Sequence, residues 1–239
     1  WTRHLMAEFA EALRKMGFDG LHLDQYGDPQ SAFDVSGRLV DLAQVFPAFI
    51  NLTKATMATV RPDAAVVFNA VNNWPIETVG TANQDFVYIE VWPPHTLYHD
   101  LWKLTVNAQK LSRGKPVVLA AYIEPIRHRN VRLADAVIFA SGGYHIELGE
   151  QAGMLADPYF PKYQKMNDGL AAVLRRYYNF AVRYENVLTL GTWDSSDEGG
   201  RRVTIEGVNT QPEQGDKNVW IITRQGKGFE TVSLVNLSD

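Results

Sequence analysis

The sequence predicts an α/β fold, the C-terminal part of a (β/α)8 TIM barrel followed by a small all-β, sandwich-like domain. Three observations lead there. Short β-like runs alternate with longer stretches of helical periodicity, the order that parallel strands joined by crossover helices require. There are five such runs, too few to close a barrel of eight. After Gly191 the helical stretches give way to short β-like runs separated by loops rich in Gly, Asp, Asn and Gln.

The chain opens on helical spacing, with Leu5, Phe9, Leu13 and Met16 three or four apart, so 2–16 reads as a helix that Gly17 stops. Phe18 to Asp24 follows as a strand feeding the loop Gln25 to Ser36. Gly37 to Val60 reads as a longer helical region, kinked or broken at Pro47, which has no N–H to offer the preceding turn. The strand Ala65 to Val71 and a short helix at Ile76 to Ala82 come next. Phe86 to Trp92 is the third strand, followed by Pro93, Pro94 and His95 and then a helix from Tyr98 to Ser112. Val117 to Glu124 is a strand, Arg132 to Ala140 a helix, Gly143 to Leu148 a strand and Lys165 to Tyr184 a helix. Beyond them Val203 to Glu206, Val219 to Thr223 and Thr231 to Leu237 read as strands, and Gly199 and Gly200 as loop punctuation. Residues 1–188 are expected to form the barrel portion and 189–239 the start of a β-domain. A half barrel exposes strand edges, so its front strands are expected from another segment, the N-terminal part of the same polypeptide, unless the chain is a fragment. Trp1, standing where an initiator Met is absent, fits a start further upstream.

Composition narrows the classes of function. With 46% apolar and 21% charged residues the chain has the balance of a globular protein. Lys and Arg number 23 against 27 Asp and Glu, a net charge of −4 that gives no reason to expect a nucleic-acid partner. The lack of cysteine excludes disulfides, thiolate metal sites and a cysteine nucleophile. No apolar run approaches the ~18 residues of a membrane span, and the charges in residues 1–16 are unlike a signal peptide.

Side chains alternate across a strand, so an aliphatic row marks the face toward the helices and its complement the lumen. In Phe86 to Trp92 the row is Val87, Ile89 and Val91, which leaves Tyr88, Glu90 and Trp92 inward. In the first strand it is Leu21 and Leu23, which leaves His22 inward and Asp24 nearest the C-terminal mouth. The same rule aims Tyr122 and Glu124 inward, and sets His145 and Glu147 on the face opposite Tyr144, Ile146 and Leu148, adding acids to that mouth. Asn69 ends the strand between the first two acids and is a candidate for a sugar-hydroxyl contact. TIM barrels carry their chemistry at the C-terminal ends of several strands. An acid closing a strand is often only a helix cap or a loop ion pair, but Asp24 and Glu90 are flanked by the aromatic rings of Tyr26 and Trp92, which suit the flat faces of sugars. Asp19, at the N-terminal end of its strand, is expected to be structural.

Two carboxyls at such a mouth suit glycosidic cleavage with retention, one attacking the anomeric carbon and the other protonating the leaving oxygen, with no cofactor and no metal. The strings GFDGLHLDQYGDP at 17–29 and YIEVWPP at 88–94, with DPYFPKYQKM and LRRYYNFAVRYENVL between 157 and 188, resemble segments of glycoside hydrolase family 66. The resemblance implies a retaining enzyme acting on α-1,6-glucan (dextran) and isomaltooligosaccharides, a TIM barrel followed by a β-sandwich, Asp24 as nucleophile and Glu90 as acid/base. It also implies a bacterial enzyme that is secreted, periplasmic or held at the cell surface. The family's cycloisomaltooligosaccharide glucanotransferases carry a module inserted downstream of the acid/base, and the stretch from Glu90 to Leu188 has no room for one, which favours dextranase-like endo-hydrolysis over cyclising transfer. Two alternatives stay open. His22 and Asp24 with Glu124, His145 and Glu147 could form the site of a metal-dependent hydrolase, or the aromatic residues could serve a non-catalytic sugar-binding protein.

Overall fold

A computed structural model describes residues 1–25, 27, 29, 32–157, 164–215 and 217–238. Helix α1 (Thr2–Met16) buries Met6, Ala10 and Leu13 and ends where Gly17 turns left-handed at φ 68°, its N–H returning to the Leu13 carbonyl. Strand β1 (Gly20–Leu23) starts at a glycine because a Cβ there would lie 2.1 Å from the Ala65 carbonyl oxygen on the neighbouring strand.

The region read as helical from Gly37 divides in two. Leu39–Val40 pairs antiparallel with Ala32–Phe33, because the Asp34 carboxylate accepts the N–H groups of Ser36 and Arg38 at 2.8 and 3.1 Å and builds a tight turn. Helix α2 (Leu42–Ala58) begins only after Asp41, whose side chain accepts from the Ala43 N–H. Pro47 sits inside α2 without ending it. The Ala43 carbonyl that a proline cannot serve is taken instead by the Thr78 hydroxyl at 2.7 Å.

Strands β2 (Ala65–Asn69), β3 (Val87–Glu90), β4 (Val117–Ala120) and β5 (Tyr144–His145) join β1 in one parallel sheet of order β1-β2-β3-β4-β5. Between them run α2, α3 (Ile76–Val79), α4 (Tyr98–Leu111) and α5 (His128–Ala140). Every strand is shorter than its apolar run, which places the functional residues at strand ends and in the loops beyond. One side of the sheet is packed by helices. Leu23, Val66 and Phe68 meet Ala10 and Leu13 of α1 and Ile50 and Met57 of α2, while Val87, Ile89, Val117 and Leu119 meet Leu101 and Leu104 of α4 and Val137 and Ile138 of α5. The aliphatic rows of β1, β3 and β4 therefore face as their parity predicts.

After β5, the pair Gly153–Met154 and Gln164–Lys165 precedes α6 (Asp168–Arg183) and α7 (Glu185–Leu188). Trp193–Asp194 follows, and then α8 (Ser196–Arg202), a helix in a stretch that reads as loop. Its two glycines are packing residues: a Cβ on Gly199 would come within 2.3 Å of the Thr223 hydroxyl, and one on Gly200 within 2.9 Å of Pro212. Strands β6 (Val219–Gly226) and β7 (Phe229–Asn236) form a hairpin, with Trp193–Asp194 and Thr210–Gln211 also paired to β6. Val203–Glu206, expected as a strand, is not one. Trp220, Ile222 and Val235 of the hairpin enter the same apolar core as α4 and α5. Buried Arg224 fastens them, donating to the Ser141 carbonyl, the Gln109 side-chain oxygen and Thr192. The result is a mixed α/β protein on a parallel sheet. Among the described residues, no helix is long and apolar enough to cross a membrane.

Candidate active site

Three neighbouring strand ends bring their polar residues together. β1 stops at Leu23 and Asp24 is next, β2 stops at Asn69, and β3 stops at Glu90. Parity places all three opposite the helix-packed row. Asn69 is 2% exposed, and its side-chain nitrogen donates both hydrogens, one to Asp24 Oδ1 at 2.9 Å and one to Glu90 Oε2 at 3.0 Å. The two accepting oxygens cannot lie farther apart than those bonds laid end to end, 5.9 Å. Asp24 Oδ1 also accepts the Gln25 N–H at 2.9 Å.

Glu90 is held from two sides. The Tyr122 hydroxyl, from the chain beyond β4, donates to its Oε1 at 2.8 Å. Burial raises the Tyr122 hydroxyl well above the usual tyrosine range, with Tyr88 and the bond to Glu90 adding to the rise. Burial likewise raises Tyr88, partly offset by its hydrogen bond with Tyr122, while the charges of Glu90 and Asp24 add to the rise. Both hydroxyls thus stay neutral through ordinary working pH, and Tyr122 remains a donor. The His22 ring meets Tyr88 edge-on with centroids 4.9 Å apart, and Trp92 leans on Tyr122 at 5.8 Å. Tyr26 lies outside the described residues.

Asn72 is a positioning residue that the sequence reading missed. It adopts a left-handed φ of 51°, which asparagine tolerates better than most residues. Its side chain accepts the Trp92 N–H at 2.7 Å and donates to the Pro93 carbonyl at 3.3 Å, tying the loop after β3 to the loop after β2. The pair Asn72–Asn73 before Trp74–Pro75 was the available signal.

Glu124 does not join the acids. It is exposed and pairs with Arg127 at 3.2 Å, on the wall of a cavity of about 520 Å³ that His95, Tyr98, Tyr122 and Asn130 also line.

His145 and Glu147 require a larger correction. They face the helices, not the mouth. His145 is the register partner of Leu119, a residue of the helix-side core, and its Nδ1 lies 2.7 Å from Asp135 Oδ1 on α5. Glu147 is buried beside it and accepts from the Tyr178 hydroxyl of α6 at 3.1 Å. Ile146 and Leu148 are the exposed row, at 45% and 43%. The aliphatic-row rule inverts here because Asp135 and Tyr178 give the polar pair partners inside the protein, which removes most of the cost of burying it. Asp135, a lone charge in the apolar run Ala134 to Ala140, was the signal. Burial pushes Glu147 up to about 8, with His145 opposing the rise and Asp135 adding to it.

The metal grouping considered from the sequence does not assemble, since His22 and Asp24 lie on the other face of the sheet from His145 and Glu147. Asp135, His145 and Glu147 do bring ligand atoms within 4.8 Å of one another. Yet the 2.7 Å between His145 and Asp135 is a hydrogen-bond length, shorter than the roughly 3.3 Å between two ligands each about 2.0–2.1 Å from a tetrahedral zinc ion. As it stands, the cluster has hydrogen-bond spacing rather than ligand spacing.

This geometry has relatives. The chain is 23% identical to a cycloisomaltooligosaccharide glucanotransferase of Niallia circulans, over 99% of its own length and 39% of that protein's. It is 24% identical to a dextranase of Streptococcus salivarius, over 99% and 34%. It thus spans well under half of either relative. A crystal structure of a Paenibacillus cycloisomaltooligosaccharide glucanotransferase, complexed with cycloisomaltoheptaose, superposes with a TM-score of 0.92 at 21% identity, covering all of this chain and 54% of that one. Residues 1–239, the entire sequence, match the family model of glycosyl hydrolase family 66. The chain belongs to glycosyl hydrolase family 66.

Proposed function

We propose that the chain carries the catalytic centre of a retaining endo-glycosidase that cleaves the α-1,6 linkages of dextran, with Asp24 as nucleophile and Glu90 as acid/base. The observation that carries this reading is the single Asn69 amide shared by two carboxyls on the strand ends either side of its own. Retaining pairs stand about 5–5.5 Å apart and inverting pairs about 6.5–9.5 Å. The 5.9 Å ceiling on the bridged oxygens supports retention.

In the first step the Asp24 carboxylate attacks the anomeric carbon while Glu90, protonated, gives its proton to the departing glycosidic oxygen. A glycosyl ester on Asp24 results. In the second step Glu90, now ionised, takes a proton from water, which attacks the same carbon and releases Asp24. Both hydrogen bonds to Asp24 described above fall on Oδ1, so Oδ2 is assigned the attack. Asn69 fixes the spacing, and Tyr122 orients the Glu90 carboxyl. The cavity beyond Tyr122 suits the leaving-group side of the polymer, and Trp92, Tyr88 and His22 are assigned to sugar contacts.

The relatives' names supply the substrate class, and alignment lengths favour hydrolysis over cyclisation. The match to the glucanotransferase spreads over 376 positions against the 239 of this chain, so at least 137 positions there have no counterpart here. The match to the dextranase needs only 291. Cyclising transfer remains a second reading, since it uses the same two acids with a sugar hydroxyl in place of water. In architecture, we assign 1–188 to the back of a TIM barrel completed by further strands, and 189–239 to the start of a β-domain. Dextran is too large to enter a cell, so the enzyme is assigned to work outside it. Product analysis on dextran tests the proposal: linear isomaltooligosaccharides, abolished by Asp24→Ala and unaffected by chelator, support it. Cyclic products would move the assignment to the transferase, and an active Asp24→Ala would overturn the catalytic roles.

A further inference from the structure

The ladder between β4 and β5 stops early, and a side chain continues it. The last backbone bond runs from the Ile146 N–H to the Leu119 carbonyl at 2.9 Å. The Ala120 carbonyl points the other way, to the Val91 N–H at 3.0 Å. Ala121 holds the next carbonyl on the β5 side, and it is met by His145 Nε2 at 3.1 Å. The residue after Ala121 is Tyr122, whose hydroxyl lies on Glu90 at 2.8 Å.

His145 is itself immobilised. Asp135 from α5 takes Nδ1 at 2.7 Å, and Glu147 lies 3.5 Å from the same nitrogen. Tyr178 from α6 donates to Glu147 and to the His145 carbonyl at 3.1 and 3.0 Å. Among the described residues, those three groups and the Ala121 backbone are what faces the imidazole. Nδ1 stands at hydrogen-bond length from Asp135, and Nε2 lies 3.1 Å from the Ala121 carbonyl oxygen and 3.4 Å from the Ala121 nitrogen, so the ring is seated on the Ala121 backbone in either tautomer; Asp135 and Glu147 each keep one buried oxygen without a hydrogen-bond partner.

We propose that His145 is a positioning residue for the Glu90 carboxyl, acting through Ala121 and Tyr122 from the opposite face of the sheet. The inference rests on the acid/base role assigned above to Glu90. The imidazole touches no substrate; it sets the end of β4, and with it the hydroxyl that aims the acid. A purely structural histidine would affect stability and leave proton donation alone.

The test is steady-state kinetics of the wild type, His145→Ala, His145→Gln, Tyr122→Phe and the double variant His145→Ala/Tyr122→Phe. Substrates are dextran and an aryl α-isomaltoside whose leaving group departs without a proton. His145→Ala is expected to lower kcat on dextran roughly tenfold, a part of the ~10²–10⁴-fold that general acid/base catalysis supplies, with KM within about twofold. On the aryl substrate kcat/KM should fall less than about threefold, because no acid is needed there. His145→Gln, whose amide nitrogen reaches the position of Nε2, should recover most of the rate, and in the Tyr122→Phe background His145→Ala should add less than about twofold. If His145→Ala fails to fold, His145→Asn, too short to reach Ala121, replaces it. Multiplicative losses in the double variant, equal losses on both substrates, or a lowered melting temperature with unchanged kcat would each overturn the proposal. An inactive wild type or an active Asp24→Ala would instead overturn the function on which it rests.

Discussion

Replacing Asn69 by alanine removes the one group among the described residues that holds both carboxyls. Its amide now offers a hydrogen to each, at 2.9 and 3.0 Å. In the state ready for the first step Asp24 is the ionised partner and Glu90 the protonated one, and a hydrogen bond to an ionised carboxylate is worth up to about 3 kcal/mol. Without the amide the Gln25 N–H still holds Asp24 and the Tyr122 hydroxyl still holds Glu90, but neither ties the two together, and the side chains rotate away from a common sugar carbon. At about 1.4 kcal/mol per decade this corresponds to a roughly 100-fold fall in kcat. Because the carboxyls are partly open to water and can be rehydrated, the fold should lose only about 1–2 kcal/mol. Initial rates of reducing-sugar release from dextran, with a thermal melt of the same preparation, measure both. Asn69→Asp, which adds a third carboxylate, should be worse than alanine. A kcat within threefold of wild type for Asn69→Ala would show the bridge to be incidental to catalysis.

Glu147 in the folded protein keeps its proton up to about 8, whereas the unfolded chain releases it near 4.5. Between those values the folded state binds the extra proton, so stability falls as pH rises; the cost is absent below about 4.5 and complete above about 8. His145 acts in the same direction, its raised folded value giving stability that is full below 6.5 and fades as pH climbs through that folded value. Melting temperatures from pH 5 to 9 should therefore slope downward in the wild type and less steeply in Glu147→Gln; equal slopes would remove Glu147 as the source. Thr78→Val strands the Ala43 carbonyl above Pro47 and should cost about 1–3 kcal/mol in denaturant unfolding. Arg224→Met, by removing the donors that tie β6 to Ser141, Gln109 and Thr192, should cost about 3 kcal/mol. A change below 1 kcal/mol would show the hairpin to be held by its apolar contacts alone.

Much of the fold was legible because elementary chemistry left few choices. A row such as Val87–Ile89 can only face a packed layer, and that identified the inward set on β1, β3 and β4, and with it Asp24 and Glu90. At β5 the same reasoning misplaced His145 and Glu147, because their partners Asp135 and Tyr178 lie 10 and 31 or more residues away on helices. The hairpin at Ala32–Val40 was hidden by an Asp34 turn inside a run that reads as helical. Helix α8 was hidden by glycines whose role is close packing against β6. Strand ends were overrun for one reason: an apolar residue beyond a ladder looks like one within it. The contact between Tyr122 and Glu90 depends on where a loop turns, which no local pattern encodes.

Double displacement at this site requires a covalent bond between the sugar and the Asp24 carboxylate. A 5-fluoro-α-glycosyl fluoride, which slows hydrolysis of the intermediate, should leave a glycosyl group on the peptide containing Asp24, read by mass spectrometry of the proteolysed enzyme. The same label found on Glu90 or on another carboxylate, or no label while β-configured sugar appears first in solution, would contradict it.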